Sequence, residues 1–118
     1  MLETEYVSPD GQLHLLVLAP EGDLTLGFSG FPWHTHGSIL AALSGKTEVE
    51  AVRDFVKAVT ENQRVIALMR QAGELRDIWI SSSPEKDVEY RSSDEIIEFR
   101  LWNGTSIHPK QVLASKQA

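Results

Sequence analysis

The chain contains no cysteine in 118 residues, which excludes disulfides, thiolate metal sites and cysteine nucleophiles together. Long hydrophobic runs are also missing. The longest, Leu15 to Ala19, is far short of the roughly 20 residues a membrane-spanning helix needs, so no membrane partner is expected. Clustered bases are a third absence. The 11 Lys and Arg residues stand singly along the chain against 17 Asp and Glu, for a net charge of −6. Phosphate recognition needs grouped cations, so nucleic acid is not an expected partner. The first residues, Met1 to Glu5, carry acid where a secretory leader carries base before an apolar stretch, and the expected location is the cytoplasm.

What remains is the composition of an ordinary soluble domain, 42% apolar and 24% charged, long enough to bury one core. The opening reads as a β-meander. Leu2 to Val7 alternates apolar and polar, and Ser8-Pro9-Asp10-Gly11 supplies a tight reversal. Gln12 to Leu18 forms the second strand. Pro20 to Asp23 turns the chain into the third, Leu24 to Phe28.

A short helix over Ser38 to Leu43, ended by Gly45, precedes the strongest element, a helix over about residues 47–61. Thr47 and Glu50 form a capping box, in which hydroxyl and carboxylate each satisfy a free first-turn amide. Val49, Val52, Val56 and Val59, with Phe55 beside them, predict the core-facing stripe. Glu50–Arg53 and Asp54–Lys57 are expected as favourable pairs on the opposite face.

The second half returns to strands at Val65 to Arg70, Leu75 to Ser81 and Glu95 to Trp102, with Ala72-Gly73 as a turn. Ser81 to Asp87 reads as a polar loop. Asn103-Gly104 is the strongest hairpin signal and predicts a type I′ turn, with Thr105 to His108 returning. Trp102 falls on the Glu98–Arg100 face, where it would be exposed or covered by a loop. The expected fold is a single α+β domain over residues 1–108, an antiparallel sheet with the main helix packed on one face. Residues 109–118 form a C-terminal tail, expected to be loosely ordered.

The segment Phe28-Ser29-Gly30-Phe31-Pro32-Trp33-His34-Thr35-His36-Gly37 holds three aromatics and two of the four histidines. In extended chain, His34 and His36 point to the same side and could share a metal ion. Zinc catalysis needs three protein ligands and an open position. No acid or imidazole among Glu21, Asp23, His14 and His108 has a spacing that marks it as the third ligand. Trp33 to Gly37, followed by Ser44, is similar to the zinc-binding signature of the JAMM isopeptidases, which has His-x-His and then a serine eight positions on. That resemblance implies His34 and His36 as zinc ligands. Here Gly37 stands where that family has proline, and Thr47 where it has an aspartate ligand. The family's catalytic glutamate lies upstream across a helix, whereas the first 33 residues here read as strands. Gly45-Lys46-Thr47 resembles the end of a phosphate-binding loop, but Leu40 occupies the place of its first glycine.

The expected function is a small, acidic, non-catalytic protein-binding domain. Its contact residues are Phe31, Trp33, His34, His36, Glu21 and Asp23, aromatics beside an acidic rim. It needs no cofactor, and a basic partner is its concrete version, as for an immunity protein or antitoxin. One alternative is a metal-dependent hydrolase or small-ligand enzyme using zinc at His34 and His36. Another is a structural homodimer joined through sheet edges or the Trp102 face.

Overall fold

The computed structural model describes residues 3–109; the side chains of Glu3 and Glu21, and the predicted tail beyond Pro109, lie outside the described part. Among the described residues the chain forms an α+β domain of antiparallel strands and three α-helices. Its strands divide between two four-stranded sheets, a division that strand periodicity does not reveal.

The first sheet is the meander β1 (Glu3–Val7), β2 (His14–Leu18), β3 (Thr25–Phe28) and β4 (His34–His36), paired in chain order. Leu15 lies opposite Phe28, and Val17 opposite Leu26. These four share the inward face and are buried. His14, His34 and His36 alternate onto the other face, as the period of two requires. The second sheet has the order β6 (Glu74–Ser81), β5 (Val65–Gln71), β7 (Glu95–Arg100), β8 (Ser106–Ile107). Ile66, Leu68 and Ile78 face the shared core, and Ala67 and Phe99 are buried on the opposite face.

Two helices lie between the halves in sequence, α1 (Gly37–Ser44) and α2 (Glu48–Thr60). α2 carries Val52, Val56 and Val59 into a core that also takes Leu13, Leu15, Val17, Leu26 and Phe28 from one half and Ile66, Leu68, Ile78 and Trp102 from the other. One α2 stripe therefore closes both halves of the core. Complete burial of such an aliphatic side chain stabilises by about 1.5–3 kcal/mol.

Several local expectations need correction. Val49 is 57% exposed; the buried stripe takes Ala51 in its place. The Glu50–Arg53 and Asp54–Lys57 pairs do not close. Asp54 pairs with Lys46, while Glu50 accepts the Thr47 hydroxyl proton and its amide donates to Thr47 Oγ1. The cap exists, but its reciprocal half runs side chain to side chain. The Ser81–Asp87 loop contains α3 (Pro84–Glu89). Proline at its start and acids in its first turn suit a helix N-terminus. Asp87 ties this helix to β6 by accepting from Ser81 Oγ at 2.5 Å and Trp79 Nε1 at 3.1 Å.

At the second hairpin Gly104 alone has positive φ, 96°. The Gly104 amide donates to the Leu101 carbonyl and the Leu101 amide to that of Thr105. This is a three-residue loop with a glycine bulge rather than a type I′ turn. The bulge swings Trp102 off the strand alternation into the core, where it is 5% exposed. The type I′ geometry occurs instead at Ala72-Gly73, with φ of 53° and 80°.

Candidate functional site

β4 is three residues long and forms one end of its sheet. Its position is set from both sides. Leu26 pairs with Thr35 and Gly27 with His34, while the Trp33 amide donates to Asp77 Oδ1 of β6 at 3.1 Å. Asp77 Oδ1 also accepts from the Ile78 amide at 2.9 Å, so one carboxylate joins the entrance of β4 to the second sheet. A Cβ on Gly27 would lie 2.9 Å from the Trp33 carbonyl oxygen, a separation that real side chains do not adopt. Glycine there is the condition for β4 to run this close to β3.

Strand alternation then splits the predicted contact residues between two faces. His34 and His36 lie on the outer face with ring centroids 5.1 Å apart, edge to face. His36 Nδ1 is 3.2 Å from Asp23 Oδ2 and 3.3 Å from Thr25 Oγ1. His34 Nδ1 is 3.1 Å from the Pro32 carbonyl oxygen, a contact that requires the proton on Nδ1. Farther along the same face, His14 Nδ1 lies 3.5 Å from Glu5 Oε2. Glu21 contributes its backbone to the 3-10 turn Pro20–Gly22 beside Asp23. Phe31 and Trp33 are half-buried and pack against the core, Trp33 tilted on Phe28 at 6.2 Å.

The two histidines do converge, as their spacing predicts, but no group of three His, Asp or Glu positioned to hold a metal occurs among the described residues. Two imidazoles fall short of the ligand set that zinc catalysis requires. The hydroxyl nearest them, Thr25 Oγ1, also lies 3.3 Å from the Asp23 carbonyl oxygen, while Ser44 Oγ contacts the Ala41 carbonyl and Ser81 Oγ donates to Asp87.

The inward side of β4 opens onto a groove of about 520 Å³ between α1, α2 and β6. Trp33, Leu40, Phe55 and Ile80 form its apolar walls, and Leu43 stands at its mouth. Leu43 is 82% exposed and Ile39, one helical turn earlier, 50%. α1 has the sequence GSILAALS, with no charged residue to cover these side chains. On the rim, Lys46 and Asp54 form an ion pair. Their mutual hydrogen bond raises the pKa of Lys46 and lowers that of Asp54. The Arg64 guanidinium lies 5.7 Å from the centroid of the Phe55 ring, within cation–π range.

Ile39, Leu43, Phe55, Arg64 and Ile80 were not legible as site residues. The uncharged run of α1 carried a signal, since a short surface helix ordinarily shows a polar face. The others meet only through tertiary structure. Compared with known proteins, the chain matches no family model, no curated protein and no solved structure.

Proposed function

We propose that this chain is a non-catalytic protein-binding domain whose contact surface is centred on the groove between β4, α1 and α2. The observation that carries the reading is the exposed apolar pair Ile39 and Leu43 beside a groove walled by Trp33. An apolar helix face next to an aromatic-lined cleft suits the inserted anchor side chain of a partner, with energy concentrated in a few buried contacts. The polar rim of Lys46, Asp54 and Arg64 supplies the surround that keeps water from such a centre.

Trp33 belongs to this surface from the entrance of β4, and Phe31, two residues earlier, packs against the core. His34, His36 and Asp23 flank it on the outer face, with Glu21 in the adjoining turn. The net charge of −6 favours a basic partner, as for an immunity protein or antitoxin that blocks one, because long-range attraction speeds encounter.

The test is calorimetric titration of the purified partner, recovered by cross-linking from the native extract, against wild type and two variants. Leu43→Asp and Trp33→Ala are each expected to weaken the complex about tenfold or more, as hot-spot truncations do. Added salt is expected to weaken association with a basic partner. A complex indifferent to both substitutions contradicts the reading.

A further inference from the structure

β1 ends the first sheet and pairs only with β2 among the described residues. Its other edge therefore presents backbone donors and acceptors with no strand beside them. Thr4 and Tyr6 lie opposite Val17 and Leu15, which places them on the inward face of the sheet. They form one wall of a second groove, about 460 Å³ in volume, whose other wall is α2 from Val49 to Thr60. Val17, Leu24, Val52 and Val56 supply apolar surface in it.

Arg53 and Lys57 also line this groove. Among the described residues neither closes an ion pair, since Asp54 is held by Lys46 and Glu50 by Thr47, although both cations act on the Asp54 carboxylate through space. The two cations stand one helical turn apart, about 6 Å along the axis. Side chains on one face of a strand repeat at about 6.8 Å, so a strand laid along α2 can present an acid to each cation.

We infer that this groove binds an extended segment of a partner protein by strand addition to β1, with apolar and acidic side chains facing α2. Main-chain hydrogen bonds to the free edge supply affinity, and the alternate side chains supply selectivity. Two other occupants fit less well. In a second copy paired antiparallel through β1, Glu5 side chains from both copies would share the outer face, where like charges repel. The sequence 110–118 contains two lysines and no acid, the wrong charge for Arg53 and Lys57. This surface is separate from the Trp33 groove, so either can fail without the other.

The probe is a capped peptide of about nine residues, long enough for a strand, with threonine at alternate positions and valine or glutamate between them. The control replaces glutamate by lysine. Titration into the full chain, followed by amide NMR, is expected to shift Thr4 to Val7 and Val49 to Thr60. Arg53→Glu combined with Lys57→Glu is expected to lower affinity about tenfold or more, and the lysine peptide is expected not to bind. Ile96→Asp, at an exposed position of β7 outside both grooves, is expected to leave peptide binding unchanged.

Three results would overturn the inference: shifts that avoid β1, equal affinity in the charge-reversed variant, or a sedimenting dimer that Tyr6→Lys dissociates. Should the double variant fail to fold, salt decides the matter in wild type. Binding that weakens as salt rises supports the ionic contacts, and salt-independent binding overturns them.

Discussion

Ala72 holds a left-handed backbone, φ 53°, in the two-residue turn between β5 and β6. An alanine pays a steric cost of about 1–2 kcal/mol there, whereas asparagine and glycine adopt the conformation readily. Ala72→Asn is therefore expected to stabilise the fold by about 0.5–1 kcal/mol, measured as a higher urea midpoint with an unchanged slope. A lower midpoint would contradict the turn assignment. The same scale shows why the other hairpin departs from its expected type I′ turn. Asn103-Gly104 carries the stronger local signal, yet Gly104 alone takes positive φ. The Asn103 amide is committed to Asn62 Oδ1 at 2.9 Å, and Trp102 is drawn into the core. Burial of a large aromatic outweighs a turn preference, because core aromatics contribute about 3–5 kcal/mol by truncation and local turn choices much less. Trp102 was thus misplaced by strand alternation, which ends where the bulge begins.

Among elements, α2 was read almost to the residue because its cap and its valine repeat agree. Val49 broke the pattern since the first turn of α2 overhangs the β1 groove rather than the core. α3 was missed because six residues of mixed polarity carry no periodicity. The candidate site was legible in part. Of the expected contact residues Trp33 lines the groove, because alternation along β4 puts Trp33 and the histidines on opposite faces. Gly27 controls this arrangement. Gly27→Ala would drive its Cβ against the Trp33 carbonyl at 2.9 Å. The expected cost is about 1–3 kcal/mol, as for overpacking generally, with altered Trp33 fluorescence even at temperatures where the variant is folded. Unchanged stability and emission would show that β4 has more room than the geometry allows.

Across the described residues, the two sheets are held together by the shared core and by polar ties remote in sequence, two of which stand out. One is Asp77 on the Trp33 amide. The other is Asp10, which accepts from Arg100 Nη1 and from Ser8 Oγ, both at 2.7 Å. Arg100 is in turn fixed by the Leu101 and Trp102 carbonyls. Its guanidinium, with the Ser8 hydroxyl, holds the Asp10 carboxyl well below the usual carboxylate range. A carboxylate depressed in the folded state stabilises the fold above its unfolded pKa, about 3.9, and that contribution is lost as pH falls toward the folded value. Asp10→Asn is expected to be less stable than wild type near neutral pH. Its stability should also fall less steeply below about pH 4, so that the two urea-denaturation curves converge in acid. Parallel curves would contradict the tie. Neither polar link was readable from the sequence, since Asp10 and Arg100 meet only after both sheets have formed.

The proposed contact groove lies between these halves, walled by the start of β4, both main helices and β6. Hydrogen exchange of the free chain and of its complex with the native partner tests it most directly. Exchange over residues 33–44 and 80–82 is expected to slow on binding, with β7 and β8 unchanged. Protection that leaves residues 33–44 as they are in the free chain would contradict it.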